Sequence, residues 1–414
     1  MLDVAHMSRL GVEMTGNLVL SAVGQADDTV LLSNDLKKLS LVLKLVIDYC
    51  TKYNVQLSPT KTKLMEIVPP RRNSRVLSNP ICIGNQTIDF VQEAEHVGIL
   101  RSTNGNMPNI LRRVAAFKKA LGSIVSCGLS QGRSSNPVAS LRILNMYGTP
   151  VLMSGLASLV LSDKEVGCID QQYKRKLQNI IKLPLSSPAS LVYFISGSLP
   201  ATAILHLRQL TLFSMVCRLP GDPLHIYAEY VLSTSASPAS WFLQIRDLHL
   251  KYHLPHPLQL LQFPPDKAFF KRFVKSKVLD YWECKLRREA ELLPSLYYFH
   301  SQFMSLSSPH KILTTAGNKP YEVSKARIQL LLLSSKYPCA KLTRHWSPEY
   351  SDGCCTHPPC KEQGLVETVE HMLLDCSAYT TVRQSLASLC LGSHDKVIHQ
   401  ITLSNFYLTA LPCP

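Results

Sequence analysis

Short apolar runs separated by turn-forming residues characterise the first 104 residues of the chain. Leu18 to Val23 and Thr29 to Leu32 flank a turn at Ala26-Asp27-Asp28, and this arrangement predicts a β-hairpin. From Leu36 to Cys50 the apolar positions step by three and four, which is the spacing of one helical face. The pattern therefore predicts a hairpin followed by an amphipathic helix.

Beyond this helix the pattern returns to short strands. Val55 to Leu57 and Lys63 to Val68 flank a turn at Ser58-Pro59-Thr60, and they are predicted to be strands around that turn. Ile81 to Phe90 predicts a second pair of short strands, with Gly84-Asn85 at the turn between them. The first 104 residues are thus predicted to form a small α+β domain.

Helical periodicity dominates from Met107 onward. Leu111 to Cys127, Pro137 to Leu161 and Cys168 to Ile181 are each predicted to be helical, and a Pro-interrupted helical region runs from Ala201 to about residue 332. The predicted fold class is α+β, with a hairpin and short strands first, mostly helices after them, and a small zinc-knuckle module at the C-terminus. The predicted domains are 1–104 (strands and helix), 105–184 (helical), 185–332 (helical connection) and 333–414 (a Cys/His-rich region).

The charge of the chain favours a polyanionic partner. Lys and Arg number 44 against 29 Asp and Glu, a formal net charge of +15, which favours nucleic acid ahead of a membrane surface. The first ten residues lack the apolar core of a signal peptide, and no run approaches the ~20 apolar residues of a membrane span. The thirteen cysteines are scattered except for a cluster from Cys354 to Cys376, which is typical of reduced thiols with one metal site. We therefore expect a protein of nucleus and cytoplasm that is not secreted.

The paired aspartates of the predicted hairpin are candidate Mg²⁺ ligands. Phosphoryl transfer in polymerases depends on carboxylates that hold Mg²⁺ ions against the reacting oxygens, and a strand turn presents two of them compactly. Neighbouring side chains on extended backbone point to opposite faces, so Asp27 and Asp28 are not equivalent. An Asp-Asp turn alone is more often a solvated loop, and its surroundings decide between the two interpretations.

Three motifs in order resemble those of LINE-like reverse transcriptases from non-LTR retrotransposons. The run Gln25 to Ser33 resembles the family's metal-binding motif, and Val55 to Met65 resembles the next motif, which implies Lys61 as proton donor to the leaving pyrophosphate. Glu95 to Leu100 is similar to the strand that grips the primer end. The resemblance implies an RNA-directed DNA polymerase palm, with Mg²⁺ on the paired aspartates and an RNA template and DNA primer or target as partners.

The motifs depart from the family pattern in ways that bear on activity. Gln25 stands where the family has an aromatic residue, and His96 and Val97 replace an aromatic-Leu pair. The family's other metal-binding aspartate lies far upstream, whereas 26 residues precede Asp27 here and Asp3 is too close to fill that place. We therefore expect a truncated enzyme whose isolated chain is inactive, because the two-metal site lacks its third carboxylate.

Basic residues at helical spacing follow the strand motifs. The family continues from its palm into a helical thumb, and residues 105–184 stand in that place, followed by a helical connection. Cations on one helical face neutralise phosphates with little sequence dependence, although such a run can equally be a solvated face. The candidate nucleic-acid-binding residues are Arg112, Arg113, Lys118, Lys119, Lys174, Arg175 and Lys176.

Cysteine and histidine with metal-ligand spacing cluster near the end of the chain. Zn²⁺ prefers thiolate and imidazole in a tetrahedral set of four, commonly as two close pairs. The layout resembles the CCHC zinc knuckle that follows the polymerase in LINE-like proteins, and it implies a Zn²⁺-held module with RNA or target DNA as a further contact. Free thiols around an ordinary core histidine are the alternative. The predicted ligands are Cys355, Cys360, His371 and Cys376, with Cys354 and His357 as competitors.

Three functional hypotheses follow from these patterns. The first is a truncated reverse transcriptase consisting of a partial palm, a thumb, a connection and a zinc knuckle. The second is a non-catalytic nucleic-acid-binding remnant of a retroelement, in which the basic and zinc-bearing surfaces are still used. The third is a decayed copy without a selected function. Catalysis separates the first from the second, whereas weak binding and poor folding would indicate the third.

Overall fold

The computed structural model of the chain describes residues 2–15, 18–67, 81–83, 86–126, 136–235, 240–296, 299, 304–317, 319–343 and 352–391. Within them the protein is a mixture of helices and short strands, as the α+β prediction requires. The chain divides into two units. Unit one comprises Met1–Ala120, Gly148–Ile169 and Thr202–Val278, and unit two comprises Leu121–Tyr147, Asp170–Ala201 and Leu279–Pro414.

All the strands that the described residues form lie in the first part of unit one and pair two by two. Four pairs are antiparallel, β1 with β2, β3 with β4, β6 with β7 and β9 with β10, whereas β5 and β8 pair in parallel. The described strands are β1 (Val12–Thr15), β2 (Leu18–Leu20), β3 (Ala22–Gln25), β4 (Asp28–Leu31), β5 (Lys63–Leu64), β6 (Cys82–Ile83), β7 (Gln86–Thr87), β8 (Asp89–Phe90), β9 (Glu93–His96) and β10 (Ile99–Ser102).

The predicted hairpin at the paired aspartates is confirmed, but two strand predictions were wrong. The run Leu18 to Val23 is not one strand, because its first part pairs with β1 and its last part begins β3. Val55 to Leu57 forms no strand. The strand β5 instead pairs with β8, where the Lys63 ammonium lies 2.7 Å from the Asp89 carboxylate. The partner of β5 is thus β8, which lies later in the sequence, and not the neighbouring segment Val55 to Leu57.

Two helices cover the β3–β4 hairpin. Helix α2 (Leu36–Lys52) begins at Asp35, whose carboxylate accepts the backbone N–H of Lys37, a common N-cap arrangement. Its buried side chains include Val46 and Cys50, as the three-and-four spacing predicted, and they pack with Ala22 of β3 and with helix α1 (Leu2–Met7). The hairpin is therefore held at its base by an apolar core, while its tip is exposed.

Helices make up most of the remaining described chain. They are α3 (Met107–Ser126), α4 (Pro137–Ile143), α5 (Thr149–Met153), α6 (Asp163–Ile181), α7 (Ala189–Ser196), α8 (Ala201–Val216), α9 (Pro223–Thr234), α10 (Trp241–Lys251), α11 (Pro257–Gln262), α12 (Lys267–Glu291), α13 (Lys311–Thr315), α14 (Pro320–Leu333), α15 (Ala340–Thr343), α16 (Pro358–Glu362) and α17 (Thr380–Leu391). Among the described residues no single helix is long and apolar enough to cross a membrane, although α7 and α8 taken together as a bent pair meet that test.

The stretch from Pro137 to Leu161, predicted to be helical, is largely helical but is not one continuous helix. After α4 the chain forms a π-helical turn at Leu144–Gly148, then α5, and then a 3₁₀ turn. Gly155, between α5 and the 3₁₀ turn, has φ 73°, which ends the regular helix. A Cβ atom at Gly155 would also lie 2.6 Å from the Ile99 side chain, so the break lets the chain approach β10 closely.

The core of unit two is built around α7, which is buried from Ser190 to Ser196. Gly197 ends this helix with φ 59°, and a Cβ atom there would collide with the backbone of Ser308 and Pro309. The backbone N–H of His310 donates to the Ile195 carbonyl at 3.0 Å. Only glycine therefore fits between the end of α7 and the segment that leads into α13.

Candidate metal centre and candidate nucleic-acid surfaces

The first two predicted metal ligands lie on a tight loop stabilised by backbone hydrogen bonds. The N–H of Cys355 donates to the Leu365 carbonyl at 2.9 Å, and the N–H of Leu365 donates to the Cys360 carbonyl at 3.0 Å. Pro358 and Pro359 begin the short helix α16, where proline costs no hydrogen bond. Cys360 thus projects from a helical turn.

The second pair of ligands is carried by a widened helical turn. His371–Asp375 is a π-helix, and the N–H of Cys376 closes it on the His371 carbonyl at 2.7 Å. Residues five apart on an α-helix point about 140° away from each other. The wider π turn brings His371 and Cys376 to the same side, which accounts for the five-residue spacing of this pair.

The four predicted ligands converge on one point. Their ligand atoms all lie within 4.8 Å of one another, and the residues are 1–7% exposed. The sulfur of Cys376 lies 3.8 Å from that of Cys355 and 3.9 Å from that of Cys360. A tetrahedral site with Zn–S bonds of ~2.3 Å places its sulfurs ~3.8 Å apart, whereas a disulfide requires ~2.05 Å.

The imidazole of His371 supports the same conclusion. Its Nε2 atom is buried and has no hydrogen-bond partner among the described residues. A buried ring nitrogen without a partner costs about 1–3 kcal/mol, and a metal ion at the centre of the three sulfurs would satisfy it. The residues present therefore fit a metal ion, and a set of three thiols and one imidazole can hold a metal such as zinc.

Both competing ligands lie outside the cluster. The sulfur of Cys354 contacts the carbonyl oxygens of Asp352 and Gly364, each at 3.8 Å. The Nδ1 atom of His357 lies 3.1 Å from the Ser377 hydroxyl, which in turn lies 3.7 Å from the Cys360 sulfur. His357 therefore supports a ligand through Ser377 instead of binding the ion.

The surroundings tune two of the thiols in opposite directions. Burial raises the pKa of the Cys355 thiol to about 11. Hydrogen bonds from the backbone and hydroxyl of Ser377 lower the pKa of Cys360 to about 6, since they stabilise its thiolate. Metal binding requires thiolates, so Cys360 is prepared for ligation whereas Cys355 needs the charge of a cation to ionise.

The residue Glu367 connects the metal-ligand loop to helix α15 through two hydrogen bonds. A side-chain oxygen of Glu367 accepts the N–H of Ala340 at 2.8 Å, and the Glu367 carbonyl accepts the N–H of Lys341 at 3.2 Å. Sequence reasoning missed Glu367 and Ser377, because neither residue type at its position has a distinctive spacing. We call residues 352–379, together with α15, the Cys/His module.

The paired aspartates occupy the tip of the β3–β4 hairpin. Asp28 pairs with Gln25, and the chain turns at Ala26 and Asp27, with φ 54° at Ala26. Both carboxylates are exposed. Over the described ranges, the sole group of three or more metal-ligating side chains is the Cys/His set, so no third acid joins Asp27 and Asp28 there. Nothing in the described residues supports a Mg²⁺ site at this tip.

Lys61 lies on a separate turn. The N–H of Thr62 closes this turn on the Ser58 carbonyl at 3.0 Å, and the Lys61 side chain is exposed. The strand expected before this turn, Val55 to Leu57, does not form, whereas β5 follows the turn. Its predicted role as a proton donor stays a prediction.

Two of the predicted phosphate-contacting residues, Arg112 and Arg113, also contact a hairpin of this chain. The Arg112 guanidinium lies 2.7 Å from the Glu95 carboxylate, and Arg113 donates to the Gly98 carbonyl. Asn109, which is buried, accepts the N–H of Leu100 at 3.2 Å. Helix α3 thus positions the β9–β10 hairpin, and Arg112 and Arg113 are partly occupied by that contact.

The other predicted nucleic-acid-binding residues differ in how far their side chains are exposed to solvent. Lys118 and Lys119 are exposed on α3 in unit one, and Arg175 is exposed on α6 in unit two. Lys174 and Lys176 on α6 are half-buried. Burial, with the charge of Lys182 as the smaller cause, lowers the pKa of Lys176.

No protein-family model, curated protein or solved structure matches this chain. By its own structure the chain is a mixed α+β protein. It contains a buried set of three cysteines and one histidine that is able to hold a metal such as zinc. The resemblance to LINE-like reverse transcriptases stays a prediction from the sequence motifs.

Proposed function

We propose that the chain is a zinc-containing, nucleic-acid-binding part of a LINE-like reverse transcriptase that does not polymerise by itself. The observation that carries the proposal is the convergence of Cys355, Cys360, His371 and Cys376. The motif order of the family implies this set, and the fold brings its ligand atoms to zinc-site distances although 16 residues separate Cys360 from Cys376. A chance group of thiols has no reason to meet that geometry.

Zinc binding is tested by metal analysis of the purified chain. We expect about one Zn²⁺ per chain, and loss of that zinc in Cys360→Ser and in His371→Ala. Cys354→Ser is the matched control, because Cys354 neighbours a ligand in sequence but its sulfur lies outside the cluster. A zinc-free chain with the Cys/His module folded would contradict the proposal.

The nucleic-acid part of the proposal rests on charge. The net charge is +15, and Lys118 and Lys119 present exposed cations on α3, beside a hairpin that α3 itself holds in place. We expect salt-dependent binding to an RNA–DNA hybrid duplex of about 16 base pairs. Replacing both lysines by glutamine should lower the slope of log affinity against log salt by roughly 1.8.

The control for this measurement is a pair of exposed lysines elsewhere, Lys311→Gln with Lys319→Gln. This variant removes the same charge from unit two, so equal losses in both variants would indicate a net-charge effect and contradict a surface on α3. Fluorescence anisotropy across a salt series gives both slopes. An unchanged slope in the Lys118 and Lys119 variant would also contradict it.

The geometry of the hairpin tip supports the proposed lack of polymerase activity. Two exposed carboxylates without a third among the described residues cannot enclose two Mg²⁺ ions. We therefore expect these 414 residues to give no primer extension on an RNA template with Mg²⁺. Extension that disappears in Asp27→Ala would overturn this part and restore the catalytic interpretation.

A further inference from the structure

Helix α12 carries a run of positive charge that contains no acid. Between Asp266 and Asp280 the cations are Lys267, Lys271, Arg272, Lys275 and Lys277. All of them lie in the part of α12 that belongs to unit one. A concentration of this kind favours an anionic partner, and it lies outside the helices in which charge was singled out above.

Only one face of this segment is available to a partner. Phe270, Val274 and Val278 are 0–3% exposed and anchor the opposite face in the core. With about 100° of rotation per residue, Arg272 and Ser276 point directly away from that core. Lys275 lies on one side of Arg272, and Phe269 lies on the other side.

An aromatic pair lies beside these cations. Phe269 is 57% exposed, and its ring lies parallel to that of Phe273, with 6.1 Å between the centroids and 4° between the planes. The ammonium of Lys277 lies 5.8 Å from the centre of the Phe273 ring. Exposed aromatic rings beside cations are the surfaces on which nucleobases stack.

The acid that directly precedes α12 is directed away from this face. Asp266 caps α12, and its carboxylate accepts the N–H groups of Ala268 at 3.0 Å and Phe269 at 2.8 Å. Its charge is therefore directed at the start of the helix. The neighbouring Arg218, which donates to the Pro265 carbonyl at 2.6 Å, adds a further positive charge near Asp266.

We propose that the outward face of α12, formed by Phe269, Lys271, Arg272, Phe273 and Lys275, binds single-stranded nucleic acid. A base stacks on Phe269, and the cations, which all follow Phe269 along the helix, contact the phosphates on one side of that base. Lysines four residues apart lie about 6 Å apart along the helix, close to the spacing of phosphates on an extended strand. Bases in a duplex are paired and stacked already, so the aromatic pair selects single strands.

A membrane surface fits this face less well. Membrane-bound amphipathic helices bury a continuous apolar face among the lipids. In α12 that face is already occupied by the core, and Phe269 is the one strongly exposed large apolar side chain between Lys267 and Val278. The inference concerns a surface and a substrate distinct from the α3 lysines, so either can fail while the other stands.

The test measures the affinity of the whole chain for a fluorescein-labelled oligo(dT) of about 16 nucleotides, with an RNA oligo(U) of the same length as a second arm. We expect Phe269→Ala to weaken binding at least about fivefold and Phe269→Tyr to retain it, because tyrosine keeps the stacking ring. Lys271→Gln with Lys275→Gln should lower the salt slope by roughly 1.4. Comparing the two arms shows whether RNA or DNA is preferred.

Tyr321→Ala is the matched control, since Tyr321 is an aromatic residue of α14 that is 75% exposed. It should leave the affinity unchanged, and circular dichroism should show that every variant is folded. Equal affinity of Phe269→Ala and the unaltered chain for both oligonucleotides would overturn the proposal. So would binding to phosphatidylserine vesicles that needs Phe269 while oligonucleotide affinity does not. A similar Phe269→Ala loss on a hybrid duplex would overturn the selection of single strands.

Discussion

The β3–β4 hairpin and the Cys/His module carry the two motifs with the most specific predicted chemistry, and their environments are opposite. At the hairpin tip two carboxylates are exposed, and no third ligand joins them among the described residues. In the module four ligands are 1–7% exposed, and their ligand atoms lie within 4.8 Å of one another. The Asp-Asp motif is therefore present without further metal ligands around it in the described part of the chain, whereas the Cys/His residues form a group that could hold a metal ion.

The difference shows what local sequence can and cannot supply. A knuckle takes all its ligands from one short segment, so its geometry is determined by nearby turns such as those at Gly364 and His371. A two-metal polymerase site takes ligands from distant segments, so an intact Asp-Asp turn says little about the rest. Metal binding can therefore be tested in the module, whereas at the hairpin tip only the effect of exposed side chains on stability can be tested.

If the module holds Zn²⁺ as proposed, the largest expected effect is that of removing this ion. Chelation should unfold residues 352–379, because apparent zinc-binding free energies in such small modules reach about 10–16 kcal/mol and are part of folding. Hydrogen exchange should then show loss of protection in the Leu365 and Cys376 amides, with β3–β4 unchanged. Unchanged protection of both amides in a verified metal-free chain would show that the module folds without metal.

Glu367→Ala tests how much of the module depends on support around the metal. The buried N–H of Ala340 would lose its carboxylate acceptor, and leaving it unpaired should destabilise the module by about 2 kcal/mol. Glu362→Ala, an exposed acid on α16, is the matched control and should have no effect. Chemical denaturation of the zinc-loaded chain gives both values, and equal stabilities would refute a supporting role.

A smaller effect is expected at the β9–β10 hairpin, which lies in the same strand-containing part of unit one as the β3–β4 hairpin. Its two-residue turn has φ 50° at Val97 and 73° at Gly98, and a β-branched residue is strained in that conformation. Val97→Asn should stabilise the chain by about 1 kcal/mol, because Asn-Gly favours this turn. Val97→Ile should give no gain. Thermal unfolding compares the three chains, and stabilisation by isoleucine as well would contradict the strain.

The smallest effect is expected at the paired aspartates. Asp27→Asn removes a charge from an exposed turn, so stability should change by less than about 0.5 kcal/mol. A marked gain in thermal stability would instead show that the two carboxylates repel each other at close range. Either result sharpens the contrast with the module, where single-ligand changes should be severe.

The predictability of each feature depends on how local its cause is. The spacing from Leu36 to Cys50 predicted α2, and four residues of the C-terminal region predicted the metal set. The sequence did not indicate that β5 pairs with β8, because 26 residues separate Lys63 from its partner Asp89. It also did not show that Arg112 is paired with Glu95, since periodicity places a cation on a face without naming the neighbour there.

The π turn at His371–Asp375 has a consequence at the level of the gene. Removing one codon between those for His371 and Cys376 would leave the two ligands four residues apart, where a regular α-helical turn also brings them together. Adding one codon leaves them six apart, for which neither type of turn provides a common side. In-frame deletions in this short stretch should therefore be tolerated far better than insertions of the same length.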